Sequence, residues 1–307
     1  MKKFLLSLVA ISMLPVISMA CDICGCGVGN NYIGILPDFH KHIFGLRYRY
    51  NSLLTHIGAD GNPTYLTSTE RYNTVEAWGG WNITSKLRIM ASVPYSFNER
   101  IQQGISKSKD GLGDITASAY YELLNKKQTV FNSKLFIQNL WIGGGIKLPI
   151  GKYNPADKEN ANENTNLFQL GTGSTDFLVG FMYDARLQDA GINVTANYKL
   201  NTGNKYSYLY GNKLNVNTQA YYKINIKNKL TLAPNAGVQY ETAQTDTDNK
   251  FNVSISGGNL LLGTLGLEVS TKKIAIGGNW QTPLSQNLAM GIVKANNRMM
   301  VHVSFML

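Results

Sequence analysis

Leu214-Asn215-Val216-Asn217-Thr218-Gln219-Ala220-Tyr221-Tyr222-Lys223-Ile224-Asn225-Ile226 is the stretch that decides the fold class. Its even positions read Leu, Val, Thr, Ala, Tyr, Ile, Ile; its odd positions read Asn, Asn, Gln, Tyr, Lys, Asn. Successive side chains of a strand point to opposite faces, so this segment has one apolar and one wet face. An exported soluble β-sandwich can contain such a strand. The same beat recurs in about twelve segments between Ile43 and Leu307, however, and behind an export signal that repetition predicts a transmembrane antiparallel β-barrel in a bacterial outer membrane.

The strands are expected near 44–52, 71–83, 87–97, 113–123, 134–148, 176–185, 192–200, 214–226, 230–240, 260–269, 274–280 and 298–307. Connections after even-numbered strands are short (84–86, 186–191, 227–229, 270–273), with 125–133 of middling length. Connections after odd-numbered strands are long and polar, notably 106–111 with its flanks, 151–175, 242–250 and 281–297. Short periplasmic turns and long outer loops belong to a barrel, and a sandwich has no reason to sort loop length by parity. In hydrocarbon an open sheet edge is not viable, so the first and last strands must pair. Gly143-Gly144-Gly145 blurs the alternation and predicts a bulge or a close backbone approach, and 157–166 reads as a solvated loop tip.

Residues 1–20 have the form of a cleaved signal peptide: Met1-Lys2-Lys3, an apolar run to Leu14, and Ser18 and Ala20 at −3 and −1. The organisation expected is therefore signal 1–20, a Cys-containing periplasmic tail 21–42, and a barrel 43–307. Ending on an amphipathic strand with Phe305 near the terminus suits the barrel-assembly machinery.

The chain carries 29 Lys and Arg against 19 Asp and Glu; loss of Lys2 and Lys3 leaves a net charge of +8. These residues are scattered rather than gathered in a basic stripe, which argues against nucleic-acid binding. Parity places Arg47, Arg49, Glu76, Arg88, Asp114, Glu122, Lys199, Lys223, Glu241, Glu268 and His302 on the inward face as candidate lumen-lining residues. Twelve strands lie between small filled barrels and open porins, so a narrow conduit is expected. Outward positions such as Val216 and Leu232 should reject arginine, and Asn217 should accept it.

Gly111-Leu112-Gly113-Asp114, Lys147-Leu148-Pro149-Ile150-Gly151 and Leu170-Gly171-Thr172-Gly173-Ser174 occur in this order at strand ends. With the strand rhythm, they make the chain resemble a family of outer-membrane transporters named for the MetA (meta) pathway of phenol degradation. The Cys-rich start is similar to a Bacteroidetes subgroup. The resemblance implies a barrel and a transport role, with no catalytic set to carry over.

Cys21, Cys24 and Cys26 hold every cysteine of the chain, and three chemistries fit them. Cys21 follows the cleavage point as a lipid-bearing cysteine does, although Ser18 stands where leucine is usual. The C-x-x-C-x-C spacing offers thiolates to Cu or Zn, with His40 and His42 nearby. A disulfide in an oxidising compartment is the third. No cofactor is otherwise expected. His302 and Ser304 share the last strand's inward face without a visible third partner, so no enzyme is expected. The function predicted is a channel for small solutes in contact with outer-membrane lipid. The alternative is a barrel acting through its surfaces, by adhesion or by metal or partner binding at the Cys tail.

Overall fold

The computed structural model describes residues 40–58, 60–130, 133–158, 166–227 and 229–307. The expected signal peptide and Cys21, Cys24 and Cys26 lie outside the described residues. Period-two alternation becomes twelve barrel strands: β1 (Ile43–Ile57), β2 (Pro63–Asn82), β3 (Leu87–Gln102), β4 (Ile115–Val130), β5 (Lys134–Leu148) and β6 (Asp176–Leu187) form one half. β7 (Ala190–Leu200), β8 (Lys213–Tyr222), β9 (Leu230–Ala243), β10 (Gly258–Ser270), β11 (Ile274–Leu288) and β12 (Arg298–Met306) form the other. Each pairs antiparallel with its sequence neighbours, and β12 closes on β1 from Met306↔Ile43 to Met299↔Tyr50. The result is a closed 12-strand antiparallel barrel, with no edge left to lipid.

The outward parity is apolar throughout: Leu46, Val93, Val179, Val238, Leu265 and Val301 are all exposed, Leu265 to 66%. That much exposed aliphatic surface is unfavourable in water and favourable in hydrocarbon. Exposed aromatic side chains gather at both ends of the wall, with Phe44, Trp81, Tyr121 and Phe305 toward the short turns and Tyr95, Phe97, Phe177 and Tyr240 toward the long loops. The protein is thus an outer-membrane β-barrel.

Several strand ends depart from expectation for one reason. Beyond the membrane both faces of a hairpin meet water, and the alternation that marks a strand disappears. Residues 125–130 are not a connection but the end of β4, paired with β5 from Asn125↔Asn139 to Val130↔Lys134. β2 begins at Pro63, β3 and the strand Ile105–Leu112 form a hairpin through the expected loop at 106–111, and β11 runs on to Leu288. The segment 214–226 breaks at Lys223, whose N–H donates to Asp189 O of the neighbouring turn (2.8 Å), before Ile224–Ile226 resumes pairing with β9.

The triple glycine proves to be a close approach. Tyr120 on β4, Gly143 on β5 and Gly180 on β6 are register partners, and the tyrosine ring lies across both glycines. A Cβ on Gly143 would stand 2.6 Å from the ring and one on Gly180 2.8 Å. An aromatic ring seated on a glycine trough restores the packing the glycine lacks. The register irregularity lies opposite, between Glu122 and Leu124.

Candidate functional site

The inward parity builds the lumen, and one row of register partners sets its charged wall. Glu268 (β10), Gly277 (β11), His302 (β12), Arg47 (β1) and Glu76 (β2) follow one another across the hydrogen-bonded strands. Gly277 leaves room for His302 Nε2 to face Glu268 Oε1 at 3.6 Å; a Cβ there would stand 2.5 Å from the imidazole. Glu76 Oε2 lies 3.2 Å from Arg49 Nη2 and 3.9 Å from Arg47 Nε. Arg47 also rests over the Trp78 ring. His302 Nδ1 approaches Ser304 Oγ at 3.3 Å, so the pair does have a carboxylate partner in Glu268, brought from two strands away.

At the inner mouth, Glu122 Oε1 meets His40 Nε2 at 3.0 Å, and Arg88 Nη1 donates to Lys41 O (3.2 Å). His42 stacks on Trp81 and accepts from the Asn82 N–H through Nδ1 (3.1 Å). Both histidines near the cysteine motif are therefore engaged by the barrel. Lys223, half-buried, sits over Tyr221 near the β8 break.

At the outer end the three glycine-rich motifs meet. Asp114 Oδ1 accepts from Gly151 N (3.0 Å), and Oδ2 accepts from Thr172 N (2.9 Å), Thr172 Oγ1 (3.0 Å) and Lys147 Nζ (2.6 Å). Lys147 also bonds the Thr172 hydroxyl and pairs with Asp176 (2.8 Å), which in turn faces Lys199 (3.8 Å). Gly151 and Gly171 touch backbone to backbone, and a Cβ on Gly171 would fall 2.5 Å from Gly151 O. Residue spacing along the chain carries no sign of this convergence. Lys147 and Asp176, absent from the expected set, are its centre, although both lie on the inward parity of their strands.

This anchor turns the β5–β6 connection into the lumen. Leu167 and Phe168 join a buried cluster with Leu53 (β1), Tyr72 (β2), Leu260 and Leu262 (β10) and Leu288 (β11), across the ring from where the loop departs. Phe168 is only 2% exposed; Arg100 and Lys109 lie over its ring, and Lys109 Nζ donates to its carbonyl (2.6 Å). The expected solvated tip at 157–166 is therefore corrected at its C-terminal end. Asn166 is buried, donating to Tyr153 Oη (2.9 Å) and accepting from Tyr210 Oη through its carbonyl (3.1 Å).

A second wall carries no charge over its middle. Inward positions of β7, β8 and β9 read Asn193, Thr195, Asn197, then Asn215, Asn217, Gln219, then Asn235, Gly237, Gln239. Glu241 caps it at the outer end, accepting from Asn215 Nδ2 (3.2 Å), Gln239 Nε2 (2.6 Å) and Arg298 Nη1 (2.9 Å). Asn217 is 3% exposed on the inner face, beside its register partner Gln239.

No protein-family model matches the chain, and no curated protein matches it in sequence. Among solved structures it is similar to a COG4313 outer membrane channel from Pseudomonas putida F1, with TM-score 0.60 and 13% identity over 89% of this chain and 100% of that one. It is also similar to the β domain of the Bordetella autotransporter BrkA (TM-score 0.47, 10% identity, 87% of this chain and 100% of that one). A third is a Pseudomonas aeruginosa FadL homologue (TM-score 0.37, 12% identity, 87% and 89%).

Proposed function

We propose that the protein is an outer-membrane channel that passes small solutes through a lumen closed, in this state, by the β5–β6 loop. The observation that carries this is the lumen itself. Charged and amide side chains follow the inward parity through the wall, and the outer half is shut where Leu167 and Phe168 of the loop pack against inward barrel side chains. A barrel serving only as a surface anchor has no need of a loop pinned across its interior. The likeness to the Pseudomonas putida channel supports the architecture. Convergence of the three motifs around Asp114 supports membership of the transporter family named for phenol degradation, since motifs scattered in sequence then share one structural purpose.

Catalysis has no part in the proposal. Ser304 beside His302 is wholly buried on the inner face, where a carbonyl substrate has no approach. Planar-bilayer recording tests the channel. Phe168→Ala removes the ring that fills the outer lumen, and its conductance is expected to exceed that of the parent chain severalfold. Silence from both proteins, each correctly folded by heat-modifiable gel mobility, overturns the proposal.

A further inference from the structure

We propose that the inner rim of the barrel binds anionic phospholipid, most strongly where the β8–β9 and β10–β11 hairpins adjoin. The assignment rests on the membrane barrel and is independent of the channel reading. Four of the five hairpins at this end carry exposed lysines, one on β2–β3, three on β4–β5 and two each on β8–β9 and β10–β11. Among the described residues no exposed carboxylate accompanies them. Glu122 is buried against His40, Asp184 is half-buried against the Tyr221 hydroxyl, and Asp189 is half-buried in the β6–β7 turn. The outer end differs: there Arg71 pairs with Glu99 at 3.1 Å and Arg100 with Glu70 at 2.7 Å.

Register gathers half of these lysines in one place. Thr231 of β9 faces Ser270 of β10, so the turn bearing Lys227 and Lys229 adjoins the turn bearing Lys272 and Lys273. Lys41 joins them, its Nζ donating to Lys272 O (3.2 Å). The cluster borders side chains that already face hydrocarbon: Ile226 precedes Lys227 and Ile274 follows Lys273, both 39% exposed. Phe44, Trp81, Tyr121 and Phe305 mark the headgroup level at this end of the wall. A lysine here can lay its methylene stem along the edge of the acyl region while its ammonium meets a phosphate. A zwitterionic headgroup brings its own cation to the same place, so the cluster selects by charge. A soluble acidic partner would call for charge gathered on one side of the mouth. These lysines instead follow the circumference through four hairpins, as an annulus of lipid does.

Quenching of tryptophan fluorescence by brominated lipid tests the rim, with the full chain in vesicles of phosphatidylcholine and brominated phosphatidylglycerol. Ile274→Trp, made with Trp81→Phe and Trp280→Phe, puts a reporter beside Lys273; Tyr240→Trp in the same background puts one at the opposite end. Phosphatidylglycerol is expected to be enriched about fivefold at the inner reporter in low salt, the effect of a single lysine at a membrane surface. Salt near 1 M should bring it close to even mixing, and the outer reporter should show no enrichment. Replacing Lys227, Lys229, Lys272 and Lys273 together by Gln should abolish the preference. Should that variant fail to fold by heat-modifiable gel mobility, Lys272→Gln with Lys273→Gln is expected to lower it at least about twofold. Even mixing at the inner reporter with all lysines present overturns the proposal. So does enrichment that survives their loss or is matched at the outer end. Conductance, present or absent, bears on the channel alone.

Discussion

The charged wall and the amide wall of the lumen obey the same strand parity, yet they meet the cost of burying polar groups in opposite ways. On the charged wall, register sets ionisable groups beside partners on nearby strands, Glu76 beside Arg47 and Arg49 and Glu268 beside His302, and at the outer end of the other wall Glu241 pairs with Arg298. On the amide wall, register partners such as Asn217 and Gln239 stand side by side, yet the Asn217 carbonyl goes unmet. The difference follows from magnitude. An uncompensated buried charge costs several kcal/mol and must be answered within the fold, whereas an unmet amide oxygen costs about 1–3 kcal/mol and can be tolerated by a stable barrel. Where the wall is paired it adds stability; where it is not, it costs a little of it.

The largest effect is therefore expected where a counter-ion is removed. Glu76→Gln keeps the shape but takes away the carboxylate that both guanidiniums share, and unfolding in urea from lipid vesicles should show a loss of about 3–5 kcal/mol. If the loss is no larger than that of a surface substitution, the pairing on this wall is incidental and the contrast collapses. Next comes the outer face of the amide wall. Val216 is flanked on β8 by Asn215 and Asn217 but points into lipid, so Val216→Arg should cost about 2–4 kcal/mol at mid-membrane depth. An unaffected Val216→Arg would mean that the two faces of β8 are assigned the wrong way round.

All twelve strands and their facing were legible in the sequence, because one side chain in two must be apolar wherever a strand crosses lipid. Arg47, Glu76, Glu268 and His302 were placed inward on that ground alone, and all are buried there. Outside the membrane this constraint lapses, which is why Lys126, Lys127 and Gln128 look like a loop while lying within β4. The pairing of charges was not legible either. His302 meets Glu268 only because β12 and β10 flank the same glycine on β11, a relation set by register and not by spacing. Least visible was the closure of the outer lumen. Leu167 and Phe168 are two apolar residues in a polar connection, and nothing local distinguishes a loop that folds inward from one that stands in water. The signal was dispersed over Asp114, Lys147, Thr172 and Asp176, which carry meaning only once the strand ends are brought together.

The smallest expected effect separates the walls most sharply. Asn279, on β11, continues the amide wall past Gly266, the register partner it shares with Asn235, and its carbonyl has no partner. Asn279→Leu removes that buried acceptor and puts a side chain of similar reach in its place. Stability should change by no more than about 1 kcal/mol, because the buried oxygen deleted was costing the fold and accepting no bond. If Asn279→Leu instead destabilised the barrel as much as Glu76→Gln, the amides would be holding the lumen together just as the charges do, and the two walls would differ in composition only.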